Sequence, residues 1–182
     1  MLIRLLLLLA FTPAHADEPL TARYSYARNS DFFATGATLA ISNDSDNNVD
    51  TFVQPNSVQV GTADIPAGAT LQQALLYWGG TVPDYGDCSP SQPSTIDDTV
   101  SLAVPGASSF VQVTADDCYC AGGENSNYEI QACRADVTAT AAGAMVGVWS
   151  VGDFEAFIDN GSTHNASYAI VLIYGAPDLP QR

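Results

Sequence analysis

The 182-residue chain carries 20 acidic and five basic side chains, a formal net charge of −15. Nucleic acids and anionic membrane surfaces attract basic proteins, so this charge argues against both as partners. All five basic residues are arginine, and the lack of lysine excludes Schiff-base chemistry, a P-loop and a lysine–asparagine isopeptide bond.

Residues 1–16 have the pattern of a cleaved signal peptide. Arg4 precedes an apolar run that ends at Phe11, and Ala14-His15-Ala16 supplies a small-x-small cleavage site. The run is too short to span a bilayer, which takes about 20 apolar residues. We therefore predict a secreted or cell-surface chain of residues 17–182, folded as a single domain without membrane insertion. Its four arginines and 20 acids give a net charge of −16.

Short stretches of alternating apolar residues, separated by turn residues, predict roughly nine β-strands. In the first half of the chain these are 20–28, 32–33 together with 38–42, 57–60 and 71–78. In the second half they are 98–104, 110–115, 145–151, 154–158 and 168–174. The strands at 98–104 and 110–115 should form a hairpin around Pro105-Gly106, and residues 116–127 read as a loop.

The highest apolar density lies in Leu71–Trp78 and Tyr168–Tyr174. Both faces of these segments are apolar, so each should lie inside a sheet, with Gly79-Gly80 ending the first. Strands without α/β alternation predict an all-β fold, an antiparallel β-sandwich of jelly-roll type. Residues 128–142 are ambiguous, and one short helix is expected near residues 134–142.

The chain contains four cysteines, Cys88, Cys118, Cys120 and Cys133. In an exported protein they predict two disulfides and no free thiol. Cys118 and Cys120 are too close to bridge each other, so each should pair elsewhere. The favoured interpretation is Cys88–Cys118 with Cys120–Cys133. The alternative is a four-thiolate zinc site, although the C-x-C spacing has no second close pair to support it.

An acidic loop supplies the candidate metal ligands, at the alternate positions Asp44, Asp46, Asn48 and Asp50. Calcium takes six to eight oxygen ligands, and alternate side chains of a curved loop can converge on one ion. The loop lacks the central glycine and distal glutamate of an EF-hand, so a solvated turn is the competing interpretation. No other cofactor is expected.

Aromatic residues supply the candidate ligand contacts. Tyr85 lies in a long loop between residues 81 and 96 and is the predicted exposed contact, whereas Tyr77 and Trp78 are expected in the core. Trp149 is a further aromatic residue that could stack on a sugar.

Two combinations of residues in this sequence could be catalytic, but neither is supported by its sequence context. His164, beside Ser162 and Ser167, lies in a turn-like stretch without a nucleophile-elbow pattern and is expected to be exposed. Asp153 and Glu155 share one face of a predicted strand, but carboxylate pairs are expected by chance among 20 acids. We predict no catalytic residue.

Four segments together resemble a family of exported bacterial surface domains of unknown function: Ile65–Thr70, Ala74–Gly80, Arg134–Thr138 and Ala169–Tyr174. That family has AxLYWxG, ADVT and VVxY…PLR motifs in this order, and its members are often multidomain and adhesin-like. The resemblance extends from about Ala37 onward. Its motifs are structural, so it implies a fold and a compartment but no reaction. Family members continue beyond the final motif, which implies that this domain is incomplete at its C-terminus.

The sequence therefore predicts a secreted or cell-surface structural, adhesin-like β-domain without catalytic activity. Its expected partners are other surface proteins or glycans. The alternative is a carbohydrate-binding module, calcium-dependent if the acidic loop binds the ion; a carboxylate hydrolase is the third interpretation. Because few residues follow the strand at 168–174, either both of its neighbours come from earlier in the chain or one of its edges lies open. We expect an open edge and self-association through it.

Overall fold

Eleven strands and one short helix form within the part of the chain that the computed structural model describes, which comprises Ser25 and residues 29–43, 48–82, 96–122, 129–158 and 164–179. The first six strands are β1 (Ser30–Thr38), β2 (Ala40–Ile41), β3 (Thr51–Phe52), β4 (Asn56–Val60), β5 (Thr70–Val82) and β6 (Thr99–Ala103). The others are β7 (Val111–Thr114), β8 (Asp117–Gly122), β9 (Glu129–Asp136), β10 (Gly147–Gly152) and β11 (Ala166–Gly175), with helix α1 at Thr138–Ala141.

The strands form two main sheets, β1-β11-β5-β9-β8 and β4-β10-β6-β7, beside the short pair β2-β3. Antiparallel partners are nested along the chain: β1 pairs with β11, β4 with β10, β5 with β9 and β6 with β7. This nesting is the arrangement of a jelly roll, to which β8 adds an outer strand. The predicted all-β sandwich is confirmed.

Alternate side chains of the two sheets meet in one core. The five-stranded sheet contributes Ala74, Leu76, Trp78, Ala135, Ile170 and Leu172. The four-stranded sheet contributes Val60, Val100, Leu102, Val113, Trp149 and Val151. Successive side chains of a strand point to opposite faces of its sheet, so each strand packs one face against the other sheet and turns the other face outward.

Strands β5 and β11 are interior strands, as their apolar sequences predict. Strand β11 lies between β1 and β5, so both of its edges are paired and the expected open edge is wrong. Strand β5 also continues through the glycine pair that was expected to end it. At Gly80 a Cβ atom would lie 2.6 Å from the carbonyl oxygen of Asn165. Glycine therefore serves close packing here rather than strand termination.

Three predicted segments differ from the structure. Residues 129–136, read as ambiguous, form a strand whose burial alternates with period two, and the helix occupies only Thr138–Ala141. Residues 117–122, read as loop, form β8. Residues 154–158, read as strand, lie outside any strand. There the side-chain amide of Gln54 bonds both backbone groups of Phe154, at 2.7 and 2.8 Å, in place of a strand partner.

The disulfide pairing differs from the favoured prediction. Cys118 bonds Cys133 across the β8–β9 hairpin, where the register places the two residues directly opposite each other, with Cα atoms 4.1 Å apart. Because residues 116–127 were read as loop, the sequence did not indicate this facing pair. Cys120 is also disulfide-bonded, and Cys88 lies outside the described residues.

Asp97 joins the two sheets just before β6. Its carbonyl oxygen accepts hydrogen bonds from Trp78 Nε1 and Gln131 Nε2, each at 3.1 Å. Its carboxylate accepts the backbone N–H groups of Thr99 at 3.2 Å and Glu155 at 2.6 Å. Burial raises the pKa of Asp97, although those hydrogen bonds oppose the change. The segment is thus fixed from both layers of the sandwich.

Candidate functional site

The predicted metal and ligand residues lie largely outside the described part of the chain. Asp44, Asp46 and Tyr85 fall there. Within it, Asp50 accepts the backbone N–H of Asn43 at 2.8 Å and so closes the loop on itself. Among the described residues, no group of three or more His, Cys, Asp or Glu side chains is placed to hold a metal ion. The calcium hypothesis stays a prediction.

The residues considered for catalysis in the sequence, His164 and Asp153, contact other side chains of the fold. His164, expected to be exposed, is 3% exposed and lies edge-on to the Phe157 ring, with ring centroids 4.9 Å apart. The Asp153 carboxylate accepts a hydrogen bond from the Ser101 hydroxyl. The carboxylate pair proposed from a shared strand face loses its basis, because Asp153 and Glu155 lie beyond the end of β10.

The two sheets have outer faces of different character. The outer face of the four-stranded sheet carries mainly polar side chains: Ser57, Gln59, Thr99, Ser101, Gln112, Thr114 and Ser150. Ala103 and the 49% exposed Val148 are its apolar members. The Ser57 and Ser150 hydroxyls lie 2.7 Å apart in a cross-strand hydrogen bond. Such alternation, apolar inside and polar outside, is usual for an antiparallel sheet with one solvated face.

The outer face of the five-stranded sheet is apolar instead. Its outward side chains on β1, β11, β5 and β9 include Phe32, Ala34, Ala169, Val171, Ile173, Tyr77, Ile130 and Ala132. Leu75 and Gln73 also occupy outward positions of β5, but they are only 3% and 5% exposed. Phe32 is 65% exposed. We call this surface the apolar face. A contiguous apolar surface on a soluble domain commonly marks an interaction site.

One end of the apolar face carries a pair of exposed tyrosines. Tyr77 of β5 lies across from Arg134 of β9, which lies across from Asp117 of β8. Tyr119, two residues beyond Asp117, points to the same side of the sheet as Tyr77. Tyr77 is 38% and Tyr119 45% exposed. We call these four residues, with Gly79 and Ala132 between the tyrosines, the tyrosine platform.

The floor of the tyrosine platform is kept low by small residues. Ala132 lies between Tyr119 and Gly79 in the register. A Cβ atom on Gly79 would lie 2.6 Å from the carbonyl oxygen of Gln131, so a larger residue does not fit without moving the backbone. The two tyrosines therefore stand above a shallow floor on which a flat ligand can lie.

Charges on the platform are balanced locally. Arg134 has Asp117 across the sheet and Asp136 two residues along its own strand. Burial acts to raise the pKa of Asp136, but hydrogen bonds from Thr138 and Gln73 and the charge of Arg134 outweigh it, so this pKa lies below its usual value. Tyr119 donates its hydroxyl to Asp117 at 3.2 Å. The polar groups are thus held in position as carboxylate acceptors and guanidinium donors.

A shallow depression adjoins the platform at Asp117. Its volume is about 330 Å³, and it is lined by Ile96, Asp98, Ala115, Asp116, Asp117 and Cys118. The Asp116 carboxylate accepts the backbone N–H of Asp136 at 2.6 Å, which ties this edge to β9.

Sequence reasoning missed the platform for identifiable reasons. Tyr77 was expected in the core because its neighbours are apolar on both sides, yet it points outward from β5. Tyr119 was placed in a loop. The spacing Cys118-Tyr119-Cys120 contained the relevant signal, because two cysteines on one face of a strand require the tyrosine between them to face the other way.

None of the protein-family models, curated proteins or solved structures compared with the chain matches it. No helix in the described ranges is long and apolar enough to cross a membrane. The fold and the surface together define a disulfide-linked β-sandwich with one apolar and one mainly polar outer face. A disulfide of this kind is compatible with an extracytoplasmic location.

Proposed function

We propose that the protein is an exported, non-enzymatic adhesive module that binds its partner through the apolar face of the five-stranded sheet. The observation that carries this proposal is the contrast between the two outer faces of one sandwich. The same chain places mainly serine, threonine and glutamine outside the four-stranded sheet, and mainly apolar or aromatic residues outside the other.

If both outer faces were exposed only to solvent, this contrast between them would have no explanation. The apolar run of β11 places Ala169, Val171 and Ile173 on the outside, where a polar residue would satisfy the fold equally well. Burying such a surface against a partner gains roughly 25 cal/mol for each Å² removed from water. The choice of residues therefore favours a face that is covered during function.

Export is supported by the N-terminal sequence pattern and by the cysteine chemistry. Three described cysteines are disulfide-bonded, and disulfides persist in oxidising compartments. The large negative charge keeps an exposed domain soluble despite its apolar face.

A matched pair of charge substitutions tests the proposal. Ala169 and Ala103 are both half-buried alanines on outer sheet faces, the first on the apolar face and the second on the polar one. Wild type, Ala169→Asp and Ala103→Asp are compared by interferometry on immobilised extracellular-matrix protein, polysaccharide and the protein itself. We expect wild type to bind at least one layer and Ala169→Asp to bind about tenfold more weakly or worse, because a buried unpaired charge is costly.

The Ala103→Asp variant should bind within about twofold of wild type, since its charge stays in water. Circular dichroism of both variants checks that each remains folded. Equal losses in the two variants, or no binding of wild type to any layer, would contradict the proposal.

A further inference from the structure

We infer that the tyrosine platform binds a neutral oligosaccharide, with Tyr77 and Tyr119 stacking on two of its sugar rings. This inference rests on the proposed function and names the ligand class of the same face. It concerns the Arg134 end of that face, where aromatic, small and polar residues are mixed, rather than the more apolar end around Phe32.

Stacking of a sugar requires exposed aromatic rings beside a surface of small side chains. The C–H face of a pyranose ring is apolar and weakly positive, so it packs on the negative face of an aromatic ring. Tyr77 and Tyr119 lie two strands apart and are offset by two residues along the strand, a separation of about 12 Å from sheet geometry. That distance exceeds one sugar ring, so the two tyrosines fit an oligosaccharide lying across β9.

Sugar hydroxyls require hydrogen-bond partners between the stacking rings. Arg134 lies there on β9, with Asp117 directly across from it on the outer side of β8. A guanidinium donates to hydroxyl oxygens and a carboxylate accepts from hydroxyl hydrogens, and such charge-assisted bonds are about twice as strong as neutral ones. Ala132 and Gly79 leave room for the ligand to reach these groups.

Charge selects a neutral ligand. The chain has a formal net charge of −15, and the single arginine of the platform is flanked by two carboxylates. An acidic polysaccharide, like a nucleic acid, would be repelled by this surface.

The test is an array of neutral and uronic-acid-containing oligosaccharides, followed by titration calorimetry on the tightest ligand. The variants are Tyr77→Ala, Tyr119→Ala and the control Phe110→Ala, which removes a 43% exposed ring outside the platform. We expect binding to neutral members only, an affinity about tenfold weaker for each tyrosine variant, and an unchanged affinity for the control. A chelator should not alter binding, because the platform contacts involve no metal.

Several results would overturn the inference. They are binding confined to acidic members, affinity unchanged in both tyrosine variants, or loss of binding in chelator, which would move the site to the acidic loop at residues 44–50. If no saccharide binds while Ala169→Asp still abolishes binding to a protein layer, this inference fails and the proposed function stands. If Ala169→Asp affects no binding at all, the proposed function fails first.

Discussion

Replacing Trp78 with alanine should destabilise the protein by about 3–5 kcal/mol, a typical cost of removing a buried tryptophan. Trp78 is 2% exposed and lies in the core between the sheets. Its Nε1 group also donates to the carbonyl oxygen of Asp97, so the variant loses one of the bonds that fix the segment before β6. The loss is a large part of the 5–15 kcal/mol that stabilises a typical domain. Urea denaturation monitored by circular dichroism measures it.

The adjacent residue provides the control. Tyr77 precedes Trp78 on the same strand but points outward, so Tyr77→Ala should cost about 1 kcal/mol or less. Equal destabilisation by the two substitutions would show that the faces of β5 have been assigned wrongly.

Replacing both Cys118 and Cys133 with alanine should cost about 3 kcal/mol, because the bond closes a loop of 15 residues in the unfolded chain. Denaturation of wild type and double variant, both without reductant, gives the difference in free energy of unfolding. The bond also holds β8 against β9 and with it the relative positions of Tyr119 and Arg134. The double variant should therefore bind its ligand more weakly even where it remains folded.

Mass mapping of unreduced proteolytic fragments checks the pairing independently. The structure predicts a fragment in which Cys118 and Cys133 are linked. Fragments linking Cys120 to Cys133 instead would restore the pairing favoured by the sequence and would contradict the register of β8 and β9.

The sequence predicted the all-β architecture and several strands of this fold better than it predicted how distant segments pair. Alternating apolar residues identified the strands at 57–60, 98–104 and 168–174, and apolar character on both faces correctly placed β11 inside a sheet. These signals are local and repeat every second residue, so a strand can be recognised from its own sequence without knowing which strands it pairs with. The hairpin around Pro105-Gly106 is confirmed for the same reason.

Features that depend on distant partners were not predictable. Strand β8 forms through pairing with β9 and through a disulfide, whereas its own glycine- and asparagine-rich flank reads as loop. The segment after β10 is apolar enough for a strand, but its hydrogen bonds go to distant residues: Phe154 bonds Gln54, 100 residues earlier in the chain, and Glu155 bonds Asp97. The tyrosine platform combines both difficulties, because it assembles Tyr77 and Tyr119 from strands that meet only in the sheet.

Hydroxyl-radical footprinting tests most directly whether the apolar face is the binding surface. The protein is oxidised alone and with the tightest-binding of the saccharide, matrix-protein and second-copy probes, and the modified aromatic residues are quantified by mass spectrometry. Tyr77 and Tyr119 on the face are compared with Phe52 and Phe110, which are exposed elsewhere. We expect bound ligand to protect the two tyrosines and to leave the two phenylalanines as reactive as before. Protection of Phe52 or Phe110, with Tyr77 and Tyr119 still fully oxidised, would contradict the assignment of the apolar face as the binding surface.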